Sequence, residues 1–136
     1  MAFAKRSLTL VASAAILSVG MAAEAQESAG QHEFIQACAS CHGADGRGDG
    51  PLAGHLAMEL PDLTTITARN DGEFPMLDVI MTIDGRAARA THGFPMPVWG
   101  DRFETEAGMT FGPYGGELVV RGRILALAEY LHSIQD

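Results

Sequence analysis

The sequence has one lysine, Lys5, and only two cysteines, Cys38 and Cys41, among 136 residues. Two cysteines exclude a multi-disulfide scaffold and a zinc site built from two cysteine pairs. The lack of lysine goes with a formal net charge of −8. Over residues 26–136, seven arginines face sixteen acidic residues, a charge of −9. Such a surface disfavours nucleic acids and anionic membranes and steers a partner that presents a basic docking patch. Long apolar runs are also missing, apart from one near the start of the chain. Lys5 and Arg6 precede that run, which extends from Leu8 to Ala23. At about 16 residues it is shorter than the roughly 20 that span a bilayer. Ala23-Glu24-Ala25 places small residues where a signal peptidase reads them, so residues 1–25 are expected to be a cleaved secretory leader and 26–136 a single exported domain with no membrane anchor.

A domain of this size lies near the lower limit at which an apolar core alone suffices. The chemistry is concentrated in Cys38-Ala39-Ser40-Cys41-His42. Two thiols separated by two residues, with an imidazole directly after them, form the attachment pattern of a c-type haem. On a helix the three side chains lie at i, i+3 and i+4 and share one face. The thiols can then add to the two vinyl groups of a porphyrin while His42 reaches the iron. A redox dithiol or half of a zinc site uses the same Cys-x-x-Cys spacing. The first expects βαβ patterning around the pair, which is missing, and the second expects two further strong ligands, usually from a second cysteine pair, and the chain has no other cysteine.

From Ser28 the pattern predicts a short helix running into this motif, with Gly30, Phe34, Cys38, Cys41 and His42 on one side and Glu33, Gln36 and Ser40 elsewhere. Gly30 leaves room for another backbone, and Phe34 is a wedge one turn later. Residues 43–51 carry four glycines and Pro51, so a loop wraps beneath His42. The alternating Asp and Gly suggest a calcium loop, but the acidic residue that would close one is not at the required spacing. The Pro51 carbonyl is a candidate acceptor for the other ring N–H of His42.

Beyond the loop, a helical turn or two is expected within 52–60, and 63–65 reads as a loop or as the N-cap of a short turn. Asp71 is a candidate cap for a helix over 74–84 whose apolar residues run almost all the way round. Gly93-Phe94-Pro95-Met96-Pro97-Val98-Trp99-Gly100 holds Met96 between two prolines, so its thioether is presented from a stiff extended segment. Soft sulfur suits the sixth position on haem iron. Met96 is therefore the candidate ligand opposite His42, with His92 and His55 as rivals; Trp99 and Phe94 are candidates to pack on the porphyrin. Residues 101–115 read as a polar, glycine-containing loop with room for one helical turn around Glu104. A last helix is expected from about Gly116, with Val120, Ile124, Leu127, Ala128, Leu131 and Ile134 as its stripe and Tyr130 beside it, packed on the first helix.

In this order the parts resemble the class I c-type cytochromes of bacteria: Cys38-Ala39-Ser40-Cys41-His42 early, Gly50-Pro51 after it, Met96-Pro97 late, and Glu129-Tyr130-Leu131 in the last helix. The cytochrome c-prime type carries its haem motif near the C-terminus and fits less well. The resemblance implies an all-α cytochrome c fold of three to five helices around one covalent haem c, held by Cys38 and Cys41. It further implies His42 and Met96 as axial ligands, with Pro51, Phe34, Trp99 and Tyr130 supporting the pocket. The implied activity is reversible one-electron transfer by a periplasmic monomer, without enzymatic turnover. Many members carry a ring of lysines around the exposed haem edge, and here none is present. Two other classes share these features: a haem enzyme or gas sensor with a displaceable Met96, and a haem subunit permanently docked to an oxidoreductase.

Overall fold

Ser28 opens the first helix because its hydroxyl accepts the Gln31 N–H at 3.1 Å, satisfying one of the donors that every helix start leaves free. This helix, α1 (Ala29–Ala37), is followed after Cys38 by the short turn α2 (Ala39–His42). Two longer elements complete the computed structural model, α3 (Met76–Asp84) and α4 (Trp99–Ser133), with 3-10 turns at Ala53–His55, Leu63–Thr65 and Ala68–Asn70. The structure describes residues 28–85 and 96–136; the expected leader over 1–25, and the candidates His92 and Phe94, lie outside them. Among the described residues there is no strand, and no helix is long and apolar enough to cross a membrane.

The stretch 101–115 is not a loop. It is helical except at Gly112, whose backbone (φ 69°, ψ 177°) divides α4 into two arms, 99–111 and 113–133. As a straight rod, 35 residues would extend about 52 Å. Instead Arg123 of the second arm pairs with Glu106 of the first at 2.9 Å, so the chain doubles back. At the inside of the bend a Cβ on Gly116 would lie 3.0 Å from the Gly108 backbone. The first arm is helical because Phe103 and Ala107, one turn apart, are both buried. The second arm begins at Pro113, a residue suited to a first helical turn, and not at Gly116.

The core consists of Phe34, Ile83, Phe103, Ala107, Val120, Ile124, Leu127 and Leu131. As expected, α1 crosses the second arm at Gly30, where an added Cβ would overlap the carbonyl of Ala126. One turn on, the Phe34 and Tyr130 rings meet with centroids 5.3 Å apart at 47°. Gly122 faces open space and has no such packing role. Gly122→Ala should therefore stabilise the protein by about 1 kcal/mol, measured by urea unfolding.

Three local expectations change. α3 begins at Met76, and Asp71 does not cap it: Asp71 adopts a left-handed conformation (φ 55°) in the turn with Gly72. That helix is buried along one side only, Ile83 being its single buried residue, with Leu77 67% exposed. Helical structure within 52–60 is limited to Ala53–His55. The 63–65 turn is capped by Asp62, which accepts the Thr64 N–H at 2.8 Å and the Thr64 hydroxyl at 2.7 Å.

Candidate haem-attachment site

Cys38 is the hinge of the site. Its N–H donates to the Phe34 carbonyl at 2.8 Å and closes α1, while its own carbonyl accepts from Cys41 N (3.1 Å) and His42 N (2.9 Å) and opens α2. The motif is thus wound into one helical turn, and Cys38, Cys41 and His42 hold the i, i+3, i+4 relation that brings side chains to a common face.

A helix that ends at His42 leaves carbonyls without intrahelical donors. The glycine-rich loop supplies them. Leu52 N–H donates to Ser40 O at 2.9 Å, Gly50 N–H to Cys41 O at 3.1 Å and Gly48 N–H to His42 O at 2.7 Å. Gly43 N–H takes the Ala39 carbonyl at 2.9 Å. For its backbone to run this close, Gly50 must lack a side chain: a Cβ there would sit 2.6 Å from the carbonyl oxygens of both Ala39 and Cys41. Gly48 combines a positive φ of 80° with a Cβ position only 2.7 Å from the Leu60 carbonyl, so both constraints demand glycine. The loop is therefore a clamp on the backbone of the motif. Pro51 lies between two of its bonds, those of Gly50 and Leu52, and is exposed.

His42 is 7% exposed, whereas both cysteines are half-buried and unbridged. Burial pushes the Cys38 thiol up to about 12, with the charge of Glu33 and then Cys41 adding to the shift. A reactive dithiol needs the opposite, a depressed pKa that yields thiolate. The environment of Cys38 thus argues against disulfide exchange. Two thiols and an imidazole on one clamped turn fit the donor set of a c-type haem.

The other candidates are arranged in two groups. Phe34, 1% exposed, and Tyr130 pack immediately before the motif. Met96 is half-buried and leads through extended Val98 into the first arm of α4. There Trp99 packs on Phe103, ring centroids 5.6 Å apart, under the Arg102 guanidinium. His55 is exposed on its 3-10 turn. The base of the segment carrying Met96 is fixed from α3: a Cβ on Gly85 would strike Val98, and one on Gly100 would lie 2.6 Å from the Asp84 carbonyl oxygen. A cleft of about 550 Å³ opens between α3 and the two arms of α4, but neither the motif residues nor Met96 line it.

Two residues with structural roles carried no local signal. Gln135 binds Leu63 O (2.9 Å), Leu131 O (2.6 Å) and Thr67 N (2.9 Å), tying the chain end to the 62–67 segment. Arg123 donates to Glu33 at 2.8 Å and Glu106 at 2.9 Å and lies 3.8 Å from the centroid of the Phe103 ring. Burial works against its charge, but the bonds from Glu33 and then Glu106 more than offset this and hold the guanidinium protonated above its ordinary range.

The family model described as Cytochrome c matches residues 27–113, which include the motif, its glycine clamp, Met96 and the first arm of α4. No curated protein and no solved structure matches the chain. Members of that family carry haem c bound covalently and transfer electrons through it. A Cys-x-x-Cys-His turn, an all-helical core and a match over more than half of the chain agree: the chain belongs to the cytochrome c family.

Proposed function

We propose that the chain is a periplasmic, monomeric, single-haem electron carrier with haem attached at Cys38 and Cys41, and with His42 and Met96 as axial ligands. The clamped turn carries this reading: three glycine-loop donors hold the backbone of Ser40, Cys41 and His42 while His42 is buried. When bound, the haem supplies a reversible one-electron couple. The residues around it have separate tasks. Cys38 and Cys41 hold it through thioether bonds, so it cannot dissociate. His42 offers one ring nitrogen to the iron, and the Gly48–Leu52 clamp keeps its backbone from moving between oxidation states. Pro51, rigid between the bonds of Gly50 and Leu52, is the acceptor proposed to set the tautomer of His42. Phe34 and Tyr130 exclude water behind the motif, and Trp99 does so beside Met96. A sulfur ligand and exclusion of water both favour the ferrous form.

The acidic surface, with −9 over residues 26–136, favours redox partners with basic docking patches. A small rearrangement at the iron is what a carrier needs, and an enzyme or gas sensor needs the reverse, a vacant or readily vacated sixth position. Potentiometric titration of the purified haem protein, followed by exposure of its ferrous form to carbon monoxide, tests the reading. The expected result is a single reversible one-electron wave with no rapid carbon monoxide binding. Rapid binding at the iron would overturn the carrier assignment in favour of an enzyme or sensor.

A further inference from the structure

Arg123 contacts both the helix that leads into the haem motif and the arm that leads away from Met96. Toward α1 it donates to Glu33 at 2.8 Å, five residues before Cys38. Toward the first arm of α4 it donates to Glu106 at 2.9 Å and covers the ring of Phe103 at 3.8 Å. Phe103 is 2% exposed and packs in turn on Trp99, three residues after Met96. Each contact uses a different property of the guanidinium: its two terminal nitrogens serve the two carboxylates, and its flat face serves the ring. The pair with Glu33 is also the more sheltered, the side chains of Arg123 and Glu33 being 26% and 18% exposed against 63% for Glu106. Sheltered ion pairs lose little to screening, and leaving one partner behind uncompensated is costly.

We infer that Arg123 is a positioning residue for the axial ligands: it holds the Met96 side of the fold at a fixed separation from the His42 side and so keeps the thioether on the iron. This rests on the ligand assignment proposed above. Without the fork, Glu33 and Glu106 face each other's side of the junction with no cation between them. The first arm then keeps the bend at Gly112 and the apolar packing of Phe103 and Ala107 but loses its ionic tie to α1, which loosens the arm that has Met96 just before its start. Glu33 also bears on Cys38 electrostatically, so the same contact reaches the attachment site.

The test is a comparison of Arg123→Met, Arg123→Lys and Glu106→Gln with the unaltered haem protein, well below the melting temperature. The readouts are the weak red absorption band of ferric sulfur ligation and the rate at which carbon monoxide displaces the sixth ligand from the ferrous form. Arg123→Met should weaken the band and raise the displacement rate at least tenfold. Arg123→Lys keeps the charge but not the fork and should fall between. Glu106→Gln leaves the core contacts in place and should raise the rate two- to threefold, which keeps the inference testable if Arg123→Met fails to fold. Thr64→Val, which removes hydroxyl bonds to Asp62 and Asp136 away from this junction, serves as the control for stability alone. It should lower the melting temperature and leave both readouts unchanged. Band and displacement rate within twofold of the unaltered protein in Arg123→Lys and Glu106→Gln, or a shift in Thr64→Val as large as in theirs, would overturn the inference. If the unaltered protein carries covalent haem but no sulfur band, the ligand assignment itself has failed and the positioning role goes with it.

Discussion

Gly30→Val should destabilise the protein by about 3 kcal/mol, the upper end of what overpacking ordinarily costs. The figure follows from where the new atoms must go. Even a single Cβ at Gly30 overlaps the Ala126 carbonyl and comes within 2.9 Å of the Tyr130 Cβ. Both belong to a helix in the core, so the backbone and not a flexible side chain must yield. Moving α1 outward also separates Phe34 from Tyr130, a ring pair worth about 1 kcal/mol beyond its buried area. Against a total stability of roughly 5–15 kcal/mol for a small domain, the loss is large. Urea unfolding of the haem-loaded variant measures it; a midpoint within error of the unaltered protein would show that the crossing at Gly30 is not close-packed. Because α1 runs directly into Cys38, the yield of haem-loaded protein should fall in parallel.

Met96→Ala should abolish the ferric sulfur band while leaving the haem covalently attached. The two effects separate because the attachment chemistry belongs to Cys38 and Cys41, whereas Met96 enters from the far side of the sequence, through the extended segment before α4. Replacing a thioether by nothing, or by water, also favours the ferric state, so the reduction potential should drop. A shift of 59 mV corresponds to a tenfold change in a one-electron equilibrium, and loss of sulfur ligation is expected to exceed that. The ferrous variant should bind carbon monoxide within the mixing time. An unchanged band in Met96→Ala would mean that the sulfur of another methionine holds the sixth position, whereas His55 or His92 in that position would leave the unaltered protein without the band.

The parts of this fold that rest on local chemistry could be read from the sequence. The helix from Ser28 into Cys38, the glycine-rich loop after His42 and the Gly30/Phe34 crossing with Tyr130 all follow from spacing over a few residues. The first arm of α4 could not, because Gly108, Gly112 and Gly115 within a polar stretch resemble a loop. Its helicity comes from tertiary burial of the Phe103 and Ala107 side chains and from the close approach of Gly100 to Asp84. Gly112 does break the chain, but for a single residue, and its neighbours remain helical on both sides. Asp71 looked like a helix cap because its side chain suits that role; a positive φ beside Gly72 places it in a turn instead. In the candidate site, the motif was legible and the clamp was legible as a loop, though not its three bonds to successive carbonyls. Arg123 was invisible to any pattern, since its partner Glu33 is 90 residues away and reads as a solvent-facing position.

The central claim is that Cys38 and Cys41 anchor one haem. It is tested most directly by the mass of the denatured chain after expression with haem-attachment machinery. The expected result is a mass increased by one haem that survives unfolding, and complete loss of that increment in Cys38→Ala/Cys41→Ala. A denatured chain of unmodified mass, under conditions in which a control cytochrome is loaded, would contradict it.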